Sequence, residues 1–400
     1  MLIRSVCKFG GSSVADRAGI ARVAALVKAP EIRREHLVVS APGKCHAADV
    51  KVTDILLQAH AAAKARSRLV YDALMGSVAS RFSQLSSSPD LAIALESLAA
   101  SVYDDASSRP LSDAAFAASR GEYLNGLVMA HETGYEFVDP ADDFLIFNES
   151  HELDLTKSLA AIRRRCASTC GVVIPGFFGS VGGVASPATV ATFSRGGSDV
   201  TASIVAAALA EEATASGAAA HAVVHENFTD VDGVLTADPR VCPAASRIPR
   251  LSYTQTRSLA LAGAAVLHAD ALESLIPLAV PIHVRSTWEP HGEGTWISLE
   301  PARLVFDGMH ESDERLARGI ALSVASEGEQ VTVVCREVDH IPRAERAARA
   351  LRFLVQAALD AKGIARLGPA ESTGPQVVCV HLADRGQLNV AVATIFDCIN

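Results

Sequence analysis

An α/β fold is predicted for the first 300 residues, an open, mostly parallel sheet sandwiched by helices, with a smaller α+β module behind it. Three observations carry this. Runs rich in β-branched residues and bounded by turn residues recur after the opening LIRSVC: HLVVSAP (36–42), CGVVIPGFFG (170–179), HAVVHE (221–226) and VPIHVR (280–285). Long alanine-rich helical stretches separate them, as in βαβ crossovers. Polar clusters with glycine (KFGGSS, SAPGK, PGFFGS, SRGGSD, NFTDVDG) fall where strands end, which is where ligands of such sheets collect.

The first strand ends in Lys8 and passes through Gly10, Gly11, Ser12 and Ser13 to a helix from about Asp16. Backbone N–H groups at a helix N-terminus favour an anion, and Lys8 adds a point charge. The same letters also fit a tight β-to-α turn with an exposed lysine. IARVAALVK (20–28) and VTDILLQAHAAAKARSRLVYDAL (52–74) read as single helices, and the serine-rich stretch from about 60 to 120 as a helical insertion. SRGEYLNG (119–126) puts Glu122 at a helix start, where a solvated or capping carboxylate is the plain reading. SVGGVASPATVATFS (180–194) reads as a β-hairpin.

FSRGGSDVTASIVAAAL (193–209) repeats the grammar of KFGGSS. Arg195 suits bidentate contact with a carboxylate or phosphate, Gly196 and Gly197 permit close approach, and Ser198 and Asp199 open the helix. Asp199 also fits as a plain N-cap. Two glycine-pair loops, each with a cation, suit two anionic ligands meeting head on. NFTDVDGVLTADPR (227–240) offers Asp230, Asp232, Asp238 and Arg240, but lacks the glutamate that would close a calcium loop. His268 fits a packed or capping histidine. Beyond residue 300, IALSVAS, QVTVVCREV, a helix over about 343–362, GIARLGPA and PQVVCVHLA give a β-β-α-β-β order with a small helix to follow.

A net charge of −9 argues against nucleic acid or an anionic membrane as the main partner. No run approaches the roughly 18 apolar residues of a membrane span, and the opening strand leaves no room for a signal peptide. The eight cysteines are scattered without a C-x-x-C pair, which reads as reduced cytosolic thiols. Cys166 and Cys170, four apart, read as unrelated thiols before half a metal site, and no metal ligands are assigned. No G-x-S-x-G, H-E-x-x-H or G-x-G-x-x-G motif supplies a rival chemistry.

In combination, KFGGSSVAD, VVSAPGK, SRGGSD, FTDVDGVLTADPR, AGAAVLHADAL and PIHVRST, in this order, resemble the aspartate kinases of the amino-acid-kinase superfamily from residue 2 to about 300, and more loosely beyond. KVTDILL, SRGEYL and TFSRGGSD are most similar to a clostridial-type subgroup. The resemblance implies an amino-acid-kinase fold in the cytoplasm, with ATP and Mg²⁺ phosphorylating the β-carboxylate of L-aspartate. That is the first step of lysine, threonine and methionine biosynthesis. By position it implies Lys8 and Asp199 as catalytic residues, the first stabilising the phosphoryl in flight and the second orienting it. Glu122 would hold the ammonium and Arg195 a carboxylate, with Ser40, Thr53, Phe177 and Ser198 completing the pocket. Gly10, Gly11, Ser12, Thr229, Asp230 and Arg240 would serve ATP. An aspartate carboxylate is ionised at neutral pH (about 3.9), so no general base is called for.

The pattern departs from many members at Leu235 (tyrosine there), Ala265 (a phosphate-side lysine, whose duty would pass to Lys44 or Arg240) and Ser194 (glycine). The clostridial-type subgroup also lacks the tyrosine and the lysine. Residues 1–300 would form the kinase domain and 301–400 a truncated ACT-like regulatory domain through which a homodimer forms, with feedback by lysine or threonine not expected. Two other readings stand: a kinase for another acidic amino acid, and a non-catalytic amino-acid sensor. Glu122 with Arg195 favours an acceptor with a free ammonium; Lys8 with Asp199 favours a catalyst.

Overall fold

The computed structural model describes residues 4–29, 34–108, 114–166, 169, 171–194, 196–218, 222–264, 267–299, 303–304, 321–327, 330–335, 337–338, 341–368, 370–374 and 377–399. The chain divides into two compact units, Met1–Val231 with Asp270–His291, and Asp232–Ala269 with Gly292–Asn400.

In the first unit six strands lie side by side, all parallel: β1 (Arg4–Phe9), β2 (Arg34–Val39), β3 (Glu136–Phe137), β5 (Val172–Pro175), β8 (Val223–Thr229) and β10 (Ile282–Ser286), in the order β3-β5-β2-β1-β8-β10. Alternation assigns the faces. Cys7, Phe9, Leu37, Val39, Val173 and Phe228 join one apolar cluster with residues of α1 (Arg17–Val27), α2 (Val52–Lys64) and α5 (Ala115–Thr133). Phe9 and Phe228 stack there across neighbouring strands, ring centroids 4.7 Å apart. The alternate residues, Lys8 among them, turn toward α7 (Gly197–Ala215), which packs on β1, β2 and β8. With both faces covered, β2 and β5 are buried along their whole length, as parallel strands must be. The stretch 180–194 does form a hairpin, β6 (Phe178–Val181) antiparallel to β7 (Val190–Thr192), and β4 (Ile146–Phe147) joins β6 in parallel.

Two sequence expectations are corrected. The helical stretch 52–74 is two helices, α2 and α3 (Arg68–Leu85), which pack on one another. The chain reverses between them at Arg66, which adopts a left-handed φ of 56° without a glycine to announce it. Glu122 lies in the middle of α5 and not at its start, because the alanine-rich residues before it carry no breaker and the helix begins at Ala115. The insertion continues with α4 (Pro89–Ser108), and α6 (Leu155–Cys166) packs beside α7.

The second unit holds β9 (Arg250–Ser252), parallel to β11 (Thr295–Ser298), and α8 (Tyr253–Leu261) with its capping box on Ser252 and Gln255. β12 (Arg303–Leu304) pairs with β15 (Glu337–Val338). β13 (Ala321–Glu327), β14 (Gln330–Cys335), β16 (Glu371–Gly374) and β17 (Val377–His381) form an antiparallel sheet in the order β13-β14-β17-β16. Helices Ile341–Ala361 and Leu388–Ile399 pack on it, so the β-β-α-β-β order with a final helix is present. The fourth strand, however, is Glu371–Gly374 and not GIARLGPA, whose described residues hold only an isolated bridge at Arg366. Ala237 and Cys242 sit in the same apolar cluster as Val331, Leu351 and Phe396, and the Val324 amide donates to the Thr236 carbonyl. These contacts are why 232–269 groups with the C-terminal region. Among the described residues no helix is long and apolar enough to cross a membrane.

Candidate active site

The C-terminal end of β1 delivers Lys8 to a cleft of about 390 Å³ in the first unit. Ser40 closes β2 beside it, Thr53 stands on the first turn of α2, and Glu122 projects from α5. Phe177, Ser198 and Asp199 complete the wall. With Gly196 and Gly197, nine sequence-singled residues thus meet in one place, at the strand ends where an open parallel sheet holds ligands.

Lys8 Nζ lies 2.7 Å from Asp199 Oδ1, with both side chains mostly shielded. Asp199 is not an N-cap. Gly196 takes that position with a left-handed φ of 58°, and Asp199 follows in the first turn of α7. Glycine is required next to it, since a Cβ on Gly197 would come within 2.7 Å of Phe177 Cα. Phe177 itself holds a φ of 82°, strain of a kind concentrated at functional sites. The KFGGSS loop is also corrected: Gly11–Val14 form a 3-10 turn, and the α1 N-terminus beyond it is capped by Asp16, which accepts from the Gly19 amide. The Gly10 amide is taken by the Phe228 carbonyl at 3.4 Å, and Gly11 and Ser12 belong to the 3-10 turn and not to the N-terminus of α1.

Glu122 is the electrostatic anomaly. It is buried, and its Oε2 has no hydrogen-bond partner. Burial pushes its carboxyl up to about 7, against the pull of the Ala41 amide and Arg120. Arg120 does not enter the cleft. It lies among the rings of Phe116, Tyr123 and Phe178, and burial pushes it down to about 10. One turn after Glu122, Asn125 Nδ2 donates to the Ser40 carbonyl at 2.7 Å and fixes that wall. Beneath Lys8 and Asp199, burial pushes His225 on β8 down to about 4, so it is neutral at physiological pH.

Thr229 and Asp230 lie at the end of β8, the strand beside β1, bonded to each other at 3.1 Å, and do not line this cleft. Arg240 belongs to the second unit, where it chelates Asp238. Arg195, Ala265 and Cys170 lie outside the described residues. Among the described residues no three His, Cys, Asp or Glu side chains converge as metal ligands. The cleft adds two residues that the sequence did not single out, Lys51 and Asp54. Their signal was local: Lys51 occupies the N-cap of α2, where a short polar residue is expected, and makes no capping bond.

What this geometry offers is a paired cation beside a partnerless buried carboxylate, suited to an anionic group meeting an ammonium. The amino acid kinase family model matches residues 4–286. Aspartokinase 3 of Bacillus subtilis is 32% identical over 307 residues, 72% of this chain and 62% of the relative, so the chain spans less than two thirds of that protein's length. Among solved structures, Clostridium acetobutylicum aspartate kinase superposes with a TM-score of 0.72 at 24% identity over 100% of both chains. E. coli aspartokinase III in complex with aspartate and ADP gives 0.71 at 18% identity over 99% of both. These two establish likeness of fold. With the family model covering most of the chain, the protein belongs to the amino acid kinase family.

Proposed function

We propose that the chain is an aspartate kinase, moving the γ-phosphoryl of ATP to the β-carboxylate of L-aspartate to give 4-phospho-L-aspartate. The observation that carries this reading is Glu122 Oε2, a buried carboxylate oxygen without a partner in the cleft of the Lys8–Asp199 pair. A buried charge is costly unless paired, and a substrate ammonium is the partner that the site lacks. Its carboxylate neighbour, the acceptor, is then held toward Lys8.

Phosphoryl transfer needs in-line positioning and cations around the developing charge rather than covalent help. Lys8 neutralises that charge, Asp199 fixes the lysine's position, and Gly10, Gly11 and Ser12 of the loop after β1 are assigned to the phosphates. Thr229, Asp230 and Arg240 are assigned to the nucleotide, Arg195 to a substrate carboxylate, and Ser40, Thr53, Phe177 and Ser198 to the acceptor pocket. Mg²⁺ takes one or two carboxylates and draws its other ligands from phosphates and water. Asp199 and Asp54 line the cleft, so the residues fit such an ion, whose part is to offset phosphate charge. The same reading places the chain in the cytoplasm, with 1–300 as kinase domain and 301–400 as an ACT-like module that pairs two chains. Sedimentation of the intact protein as a monomer at assay concentrations would remove the dimer.

Hydroxylamine trapping of the acyl phosphate, run with ATP and with L-aspartate, L-glutamate and their analogues, tests the activity. Turnover of aspartate over glutamate is expected. Turnover of another acid alone would change the acceptor, and none with any acid would leave a binding protein.

A further inference from the structure

We infer that Arg81 is a positioning residue for this site: from the helical insertion, its guanidinium fastens the loop that carries one wall of the cleft. Its consequence for turnover rests on the kinase reading above; its geometry does not. Residues 40–51 link β2 to α2 without a strand or helix, and both ends reach the cleft, Ser40 at one and Lys51, followed by Thr53, at the other. The middle is held from outside. Arg81 Nη1 pairs with Asp49 Oδ2 at 2.7 Å, while Nη2 donates to the carbonyls of Gly43 at 2.6 Å and Ala15 at 3.1 Å. Asp49 organises the same loop, its Oδ2 accepting from the Cys45 amide and its Oδ1 from the Val50 amide, both at 2.9 Å. On the other side Gly43 donates to the Gly11 carbonyl at 2.8 Å, and a Cβ on Gly43 would stand 2.7 Å from that oxygen. The loop therefore lies directly on the KFGGSS turn.

One planar fork ties α3, the 40–51 loop and the turn after β1 together, which the point charge of a lysine does not reproduce. The Arg81 and Asp49 side chains are 14% and 21% exposed, at the edge of an open cavity of about 430 Å³ that both line. Arg81 is not what anchors α3: Tyr71, Met75, Val78, Phe82 and Leu85 bury that helix. Its work is directed at the loop.

The test compares wild type, Arg81→Ala and Arg81→Lys as full chains. Steady-state kinetics, calorimetric binding of ADP with Mg²⁺, and hydrogen exchange are read on each. For Arg81→Ala we expect KM for the amino acid to rise about tenfold and kcat to fall about tenfold, as small misplacements do. ADP affinity stays within about twofold, and exchange quickens over 41–50 but not within α3. Arg81→Lys recovers part of the loss, and it serves as the test should the alanine variant not fold. Wild-type kinetics with unchanged exchange would overturn the assignment. So would equal losses of both ligands with exchange raised throughout, the mark of a general structural role. Should wild type itself phosphorylate no acid, the kinase reading fails and the exchange of 41–50 alone decides the role of Arg81.

Discussion

Glu122 and Glu226 are both buried glutamates of the first unit, 8% and 3% exposed, yet they behave as opposites. On β8, Glu226 is saturated. Arg34 Nε and Nη2, Arg285 Nη1, Ser5 Oγ and Cys7 Sγ all donate to its two oxygens. Burial alone pushes its carboxyl up, but Arg34, Ser5 and Arg285 overcome this and hold it near 2. The guanidinium carbons of Arg34 and Arg285 also stand 5.5 and 5.7 Å from the Phe228 ring centroid. On α5, Glu122 keeps one oxygen without a partner, and burial wins, up to about 7. Burial is common to both, so burial does not mark a site. Unfilled hydrogen-bonding capacity on a residue that lines a cleft does, because there a ligand can supply the missing partner.

The contrast is tested most severely where the cleft's own cation is removed. Lys8→Ala is expected to lower kcat by a factor on the order of 10³ or more, since on the proposed kinase reading it deletes the charge nearest the transferring phosphoryl. The melting temperature should change little, and near-normal turnover in this variant would end the assigned role. Glu226→Gln should do the reverse. It leaves Arg34 and Arg285 buried with a weaker partner, so denaturant titration should show a loss of about 3 kcal/mol. The folded fraction should keep wild-type KM. An unchanged midpoint would mean that the saturated carboxylate contributes nothing and that the contrast is empty.

Glu122→Gln sits between these in effect. It keeps the shape of the side chain and removes the charge that an ammonium would meet. KM for the amino acid should rise about 30-fold, equivalent to about 2 kcal/mol, with kcat much less affected. Stability at pH 8 should be equal or higher, because an uncompensated buried charge is gone. Loss of stability without a change in KM would make Glu122 another structural carboxylate.

Much of this was legible in the sequence for local reasons. Strand ends carrying glycine pairs fixed where Lys8 and Asp199 would lie, and residues such as Gly197 are needed because backbones come too close for a Cβ. The burial of Glu122 was not legible, since AAFAAS before it contains nothing to stop a helix from starting early. The reversal after α2 was hidden because Arg66 takes a left-handed conformation that the sequence normally signals with glycine. Arg81 gave no sign because two of its partners are backbone carbonyls, which every residue has. The grouping of 232–269 with the C-terminal region depends on packing across more than eighty residues of chain, a distance that periodicity does not span.

The smallest effect separates the two glutamates within wild type, through pH. The Glu122 carboxyl is raised from 4.5 to about 7 in the folded protein. Between those values the folded state holds a proton that the unfolded chain releases, so folding loses stability as pH rises from about 4.5 through 7. Glu226, depressed to about 2, contributes the opposite slope: its stabilisation is present above about 4.5 and is lost as pH falls toward 2. Binding an ammonium requires the charged form of Glu122, so below pH 7 the acceptor must first expel a proton. KM for the amino acid should then rise about tenfold for each pH unit below about 7 and level off above it. Nucleotide phosphates also titrate near pH 6, but they do so equally in Glu122→Gln. The difference between the two pH profiles isolates the side chain. Parallel profiles for wild type and variant would show that the orphaned oxygen of Glu122 waits for something other than a cation.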